Sequence, residues 1–545
     1  MGSLEGASAA FPGGSVQGSL LASLALLLLL LLLWARRRRR PRRPAGAPSR
    51  PVTGKPLPGP VGWPLLGNVL QLGRLPHLTF CALAKRYGPV FQLRLGRRAV
   101  VVLNGASAIR EALVQQGGPF AGRPDFPSFR LVSGGKSMAF GRYSARWRAQ
   151  RRVAQATLRA FSTARAPGGR LFEQHVAAEA LELVAELCRL SDARRGRYVD
   201  PAPLFAVANA NVMCALCFGQ RYGHDDGEFR ALLGRNDRFG QTVASGSLVD
   251  VLPWLQAFPN PVRSVFRDFQ ALTREMHDFV RAKVAQHRLT FRPGAPPRHM
   301  SDAILGSMEH GDGAERGLAA GEYVEGTLSD LFGAAQDTTS TGLAWVTLLL
   351  LKHPGLRRQL QEELDGAVGR GRLPTAEDRA SLPRLEAFLV ETLRYSSFVP
   401  LTIPHATTSD AALGGFLIPE GTVVFVNQWS ANHDPSRWKE PHRFDPGRFL
   451  DGRRPERLDR ELARQVMVFS LGKRRCIGDQ VAQLQLFLFA AILLHQGRLE
   501  GNPDEELSMD CQHGLVLRPR PFTLALARRD GAGEAAPAVD GPGAS

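Results

Sequence analysis

The sequence predicts a mainly α-helical protein with small β-sheets, set behind an N-terminal transmembrane anchor helix. Three observations carry that expectation. A nearly pure leucine run ends in a block of arginines close to the N-terminus. Long stretches with apolar residues at helical spacing fill most of the remainder, and only short segments alternate in the manner of strands.

The anchor comes first. Leu20 to Ala35 reads LLASLALLLLLLLLWA, and Val16 to Ser19 extend it toward the ~20 residues a bilayer span needs. RRRRRPRRP follows at 36–44. A cleaved signal peptide would carry its charges before the apolar core. In this order the positive-inside rule keeps the arginines, and all that follows, in the cytosol. A nucleic-acid-binding arm would not need the leucines, and a mitochondrial transit peptide would be amphipathic rather than solid leucine. Residues 1–35 are therefore the N-terminal segment and membrane anchor. Residues 36–60 form a basic, proline-rich linker, stiff because proline fixes φ and cannot extend a helix.

The body is expected over 61–528. LTFCALAKRYG is amphipathic, and VFQLRLGRRAVVVLN alternates like a hairpin around Gly-Arg-Arg. LFEQHVAAEALELVAELCRL and HPGLRRQLQEELDGAVG have helical spacing, and 413–428 reads as a short sheet element. The tail, 529–545, is low in complexity and expected to be disordered.

Charge and cysteines narrow the class. The formal net charge is +19, and nine of the basic residues lie within 1–55 against a single acid, Glu5. The remainder is still basic, which suits an acidic partner surface or anionic membrane, because no nucleic-acid motif accompanies it. Six cysteines in 545 residues make no disulfide framework. Cys214 and Cys217 form a C-x-x-C with no second pair at zinc spacing, and read as core. No phosphate-binding glycine pattern is present, so no nicotinamide or flavin site is expected in the chain itself.

Cys476 is different. It sits in FSLGKRRCIGDQVAQLQLFLFAAILLHQ, where a loop closes just before a long apolar helix. A lone buried cysteine is most often a small core hydrophobe. Here a thiolate would gain from the N–H groups and positive dipole end of the helix. Gly472 permits a tight turn, Gly478 the close approach of a flat ligand, Phe469 shielding from water, and Arg474 the neutralisation of a ligand carboxylate. Together these are the needs of a thiolate haem ligand.

Three further patterns occur. LSDLFGAAQDTTSTGLAWVTLLLLKHP (328–354) is an apolar helix broken by a small, polar patch. Ala334 and Ala335 leave room on its face; Asp337 and Thr338 supply an acid and an alcohol, a pair suited to delivering protons to bound O₂. A helical threonine can also bond back to its i−4 carbonyl and bend the helix. Glu391 and Arg394 share a helical face at i, i+3, and Pro446-Gly447-Arg448-Phe449 follows later. Trp147 and Arg151, at i, i+4, place two donors on one face, suited to a carboxylate, although core packing alone would also account for Trp147.

Phe469, Gly472, Arg474, Cys476 and Gly478 match all five fixed positions of the haem-binding signature of the cytochrome P-450 superfamily. The other patterns stand in that family's order, and the resemblance runs from about residue 56 to about 528. Two departures are Gly447, where glutamate is usual, and Ala335, where glycine is commoner. Within the superfamily the chain is similar to family 1, and there to the B subfamily, through LVSGGKSMAF, SLVDVLPWLQAFPNPVR, FGAAQDT, SSFVPLTIPHATT, TVVFVNQWSANHDP and FSLGKRRCIG.

The resemblance implies the cytochrome P-450 fold, haem b as cofactor, and Cys476 as axial ligand to its iron. It implies Trp147, Arg151, His405 and Arg474 at the haem edge, and a buried structural network of Glu391, Arg394 and Arg448. It implies an unspecific monooxygenase that hydroxylates or epoxidises planar aromatic and steroid-like substrates: polycyclic hydrocarbons, oestrogens, and also retinoids and fatty acids. Position-matched lining residues are Phe140, Asn236, Phe239, Asp330, Ala334, Val399 and Leu515. Electrons would come from NADPH through a separate flavoprotein reductase, with a b-type cytochrome as a further partner, at the cytosolic face of the endoplasmic reticulum membrane. Delivery to mitochondria stays open. The competing readings are a haem-thiolate isomerase or dehydratase and a non-catalytic haem sensor; neither needs the Asp337–Thr338 pair.

Overall fold

The computed structural model describes residues 55–162, 167–223, 225–244, 248–309, 322–452 and 454–529. The anchor, linker residues 36–54 and tail residues 530–545 lie outside them. No described helix is long and apolar enough to cross a membrane.

The first sheet grows from the alternating segment. Strands β1 (Val90–Leu95) and β2 (Arg98–Asn104) pair antiparallel. β2 is buried continuously from Val100 to Asn104, as a strand covered on both faces should be. His405–Ala406 (β3) and Val423–Asn427 (β4) complete the sheet: β4 runs parallel to β2 and antiparallel to β3. A second small sheet pairs β5 (Gly497–Gly501) with β6 (Leu524–Arg528).

Helices make up most of the body. Those that position the site are α1 (Ala145–Ser162), α2 (Pro167–Leu190), α3 (Ala202–Phe218), α4 (Pro261–Thr290), α5 (Met300–Glu309), α6 (Glu322–Lys352), α7 (Pro383–Ser396) and α8 (Asp479–Gln496). α8 is apolar on nearly every side, and Leu484 to Gln496 is buried without a break. A helix hydrophobic all round belongs at the centre. It packs on α2 and α6, while α6 packs on α3. Side chains of these helices share one core, in which Phe332, Phe487 and Phe489 are almost fully buried. Truncating any of the three costs about 3–5 kcal/mol.

Contacts reach past both expected edges of the body. The linker expected to run to residue 60 is docked by residue 55: the Lys55 N–H donates to Gly415 O at 3.3 Å, and Gln92 N–H to Pro58 O at 2.8 Å. Arg529, assigned to the tail, belongs to the fold. Its N–H donates to Gln496 O, and its guanidinium donates to Asp365 Oδ2 at 2.5 Å.

Candidate active site

α8 begins at Asp479 with Gly478 as its cap, so Cys476 lies just ahead of the helix N-terminus. The loop is fixed locally. Cys476 N–H donates to Phe469 O at 2.8 Å, and Ser470 N–H to Gln428 Oε1 at 2.8 Å. Gly472 has φ +68°, and a Cβ there would lie 1.8 Å from Leu113 O, so only glycine fits. Gly478 is the opposite case. Its φ is ordinary, and a Cβ would meet nothing nearer than Cys476 Sγ at 4.0 Å. That glycine leaves space beside the sulfur rather than relieving a clash. Phe469 is half-buried against the main core.

Cys476 is exposed by surface area, yet surrounding protein pushes its thiol pKa up, with Gly478 N–H opposing. Both hold for a side chain bare toward a cleft walled by protein. α6 shows the matching surface. Gly333 and Ala334 are exposed in a helix whose neighbouring Phe332 is fully buried. α6 and α8 touch at Gly342, where a Cβ would meet Leu486 at 3.0 Å. Ala334 on α6 and Cys476 just ahead of α8 are thus both bare, on two helices that pack together at Gly342.

Three successive carbonyls of α6 take side-chain donors at this turn. Thr338 Oγ1 donates to Ala334 O at 2.8 Å, and Asn209 Nδ2 to Ala335 O at 3.0 Å and Gln336 O at 2.8 Å. Ser340 Oγ adds a bond to Gln336 O. Drawing carbonyls outward in this way opens a helical turn. Asn209, held by Gln485 of α8 at 2.8 Å, was not singled out from sequence, although it stands one turn before the C-x-x-C. Cys214 and Cys217 are core: both are buried, and burial pushes the Cys217 thiol up to about 12.

Beside the Cys476 loop stands a cluster of cations. Arg474 is buried and donates to Ala121 O, Met138 O and Gly141 O at 2.7–2.8 Å, with its guanidinium 4.1 Å from the Trp147 ring centroid. Arg151 lies over the same ring at 5.5 Å and donates to Arg475 O. Arg123, which the sequence reading missed, donates to Ala139 O, Ile403 O and Pro404 O. His405 Nδ1 meets Phe120 O at 2.8 Å. Burial first, and then mutual repulsion, lowers the pKa of Arg123, of His405 and of Arg474, the last to about 9. Among the described residues, no carboxylate is ion-paired with Arg123, Arg151 or Arg474. A cluster of this kind suits a dianionic ligand edge such as a pair of haem propionates. The donor set fits the group. Trp147 differs from expectation: its Nε1–H is taken by Met138 O at 2.9 Å.

Glu391, Arg394 and Arg448 come together. Arg394 donates to both Glu391 oxygens at 2.6 and 2.8 Å, and Arg448 Nε donates to Oε1 at 3.1 Å. Arg394 also donates to Asn432 O and Pro441 O, and Asp445 N–H reaches Glu391. Gly447 carries none of the network; its N–H donates to Asp445 Oδ1.

The two acids of α6 have protein partners that the sequence did not show. Asp330, expected to face substrate, accepts from Ser137 Oγ at 2.7 Å, Ala139 N–H at 3.1 Å and Met138 N–H. Its carboxylate braces the 137–139 loop. Asp337 is not free beside Thr338 but accepts from Arg518 at 2.7 and 3.2 Å. Of the other expected lining residues, Phe140 packs edge-on against Phe129 with centroids 4.8 Å apart. Both line a cavity of about 450 Å³ shared with Arg123 and Trp147. Val399 is half-buried and Leu515 exposed. The side chains of Asn236 and Phe239 lie outside the described residues.

A helix-rich scaffold with a bare cysteine just ahead of a helix N-terminus, a cation cluster beside it and an opened turn on a neighbouring helix has the parts of a haem-thiolate oxidoreductase. The chain belongs to the cytochrome P450 family, whose model, Cytochrome P450, matches residues 57–526. It is 52% identical over 480 residues to human cytochrome P450 1B1, covering 87% of each chain. It is 43% identical to rabbit (Oryctolagus cuniculus) cytochrome P450 1A1, over 87% of this chain and 91% of the other. A solved zebrafish cytochrome P450 with progesterone superposes with a TM-score of 0.73 at 32% identity, covering 83% of this chain and 99% of that one. The protein is a haem-thiolate monooxygenase.

Proposed function

We propose that the chain would hold haem b through the Cys476 thiolate, and that it oxidises planar aromatic and steroid-like molecules at the cytosolic face of the endoplasmic reticulum. The observation that carries this is the buried cation cluster without a paired anion beside a cleft-facing cysteine. Bound haem supplies reductive O₂ activation and oxygen insertion into C–H or C=C bonds.

The chain supplies the rest. Gly478 N–H and the α8 dipole hold negative charge at Cys476 Sγ, while Phe469 keeps bulk water away. Arg123, Arg151, Arg474 and His405 fix the propionate edge. The Ala334 face leaves room for O₂ and substrate. Thr338, whose hydroxyl proton rests on Ala334 O, presents its oxygen as an acceptor at the open turn, and Asp337 passes protons inward while Arg518 sets its orientation. Electrons arrive from NADPH through a flavoprotein reductase, steered by the basic surface, with a b-type cytochrome as a second donor. Residues 1–35 anchor the chain in the bilayer through the leucine run, 36–60 form the linker, and 61–528 are the catalytic domain.

The Phe129–Phe140 edge-on pair supports flat substrates. Polycyclic hydrocarbons and oestrogens head the list, followed by retinoids and fatty acids. The test is the spectrum of the reduced, carbon monoxide-treated protein beside Cys476→Ala. A strongly red-shifted Soret band is expected in the wild type and absent from the variant. A folded, haem-loaded wild type without that band would sink the assignment of Cys476.

A further inference from the structure

We propose that His287, His299 and Asp302 form a divalent-cation site suited to zinc, separate from the cleft and independent of the function proposed for it. The three come from two pieces of chain. His287 is in the last turn of α4, His299 immediately precedes α5, and Asp302 is in the first turn of α5. The connection, FRPGAPPR, holds three prolines and a glycine at φ +82°, a stiff turn that folds α5 back on α4.

The geometry is that of a partly assembled ligand set. One donor atom from each residue lies within 4.8 Å of the others. The two imidazole centroids are 4.1 Å apart, and His299 Nε2 is 3.7 Å from Asp302 Oδ1. Donors around a tetrahedral zinc at its usual 2.0–2.2 Å bonds stand roughly 3.3–3.5 Å apart, so closing the set takes about an ångström of side-chain movement. His299 and Asp302 are buried, and His287 is half-buried with its ring stacked on Phe218. Room for His299 is left by Gly219, where a Cβ would lie 2.8 Å from the imidazole. Arg298 grips Asp302 through both oxygens, at 2.6 and 3.0 Å. A carboxylate offers about four lone-pair sites, so this fork orients the ligand and leaves Oδ1 able to take an ion. Burial lowers the pKa of both imidazoles, favouring the neutral, ligating form. Two nitrogens and one oxygen suit zinc, with water in a fourth position.

A simpler role would be helix capping: His299 Nδ1 accepts Asp302 N–H at 3.3 Å. Capping involves His299 alone; His287 is placed by its hydrogen bond with the Phe218 backbone and its stacking on that ring, which leaves one ring nitrogen for an ion. The two roles separate on His287.

The experiment uses untagged, haem-loaded full-length protein in detergent, titrated with Zn²⁺ against a chromophoric chelator. X-ray absorption at the zinc edge, distinct from iron, reads the ligands. One zinc per chain with two imidazole scatterers is expected, and His287→Gln and His299→Asn should each weaken binding at least tenfold. His299→Asn keeps a capping side chain; should it fail to fold, His287→Gln decides alone. Equal zinc binding by wild type and His287→Gln, or an edge spectrum without imidazole, would overturn the site.

Discussion

Arg394 and Arg474 are both buried arginines, and each donates to three backbone carbonyls. Their charges meet different fates. Arg394 pairs with Glu391, which also takes Arg448 and Asp445 N–H, so every strong donor has an acceptor. Arg474 stands near Arg151 and Arg123, and burial, then repulsion from Arg151, depress its pKa against the pull of Tyr143 and Asp330. A network completed within the chain is scaffold. A cluster whose cations have no ion-paired carboxylate among the described residues, though Arg474 feels the field of Asp330, leaves charge for a bound anion. The contrast separates structural from ligand-binding charge without reference to any motif.

The largest expected effect lies on the completed side. Glu391→Gln preserves shape but removes the acceptor charge from two arginines, leaving them buried and unpaired. Breaking a buried pair costs about 3–5 kcal/mol. The variant should lose that much unfolding free energy, or accumulate without haem. A loss under about 1 kcal/mol would mean that hydrogen bonding, not charge balance, holds the network.

On the incomplete side the sign should reverse. Arg151→Gln takes one cation from a repulsive set, so the haem-free protein should melt at the same temperature or higher. Haem should leave about tenfold faster, equivalent to ~1.4 kcal/mol of lost attraction. The melting temperature of the haem-free form and the rate of haem transfer to an acceptor protein check both halves. A destabilised haem-free form with unchanged haem loss would place Arg151 among the structural charges.

How legible this was depended on sequence distance. The Cys476 loop could be read because its parts are contiguous: the Phe469 carbonyl, the Gly472 turn and the α8 N-terminus lie within one short run. Hairpin β1–β2 was legible for the same reason, through its alternation. Arg123 was not, because its role depends on Ile403 and Pro404, far along the chain. Asn209 was passed over because a helical asparagine in an apolar run carries no sign that it faces an opened turn of another helix. Asp330 and Asp337 were recognised as acids on the right helix, but their partners, Ser137 and Arg518, are set by tertiary packing that periodicity does not encode. Local chemistry was therefore readable, and the pairing of charges across the fold was not.

Asp330 connects the two sides, since its carboxylate feels Arg474 and also braces the 137–139 loop. Burial outweighs the hydrogen bonds from Ser137, Ala139 and Met138 and the pull of Arg474, raising its pKa to about 6. A carboxyl whose folded pKa lies above its unfolded value of roughly 3.9 contributes stability below the unfolded pKa, and loses it as pH rises through the folded pKa. Against Asp330→Asn, neutral at every pH, the wild type should therefore lose relative stability between about pH 4 and 6, and the difference should be flat above 7. The melting-temperature difference across that range measures it. A gap that widened with pH would show that the hydrogen bonds and Arg474 outweigh burial. The comparison can be pressed further by loading haem. Propionates paired with Arg474 would cancel part of the field that now favours the Asp330 anion, so the transition should move to higher pH in the loaded protein. An unmoved transition would mean that the anion sits elsewhere than on Arg474, even if the cysteine assignment stands.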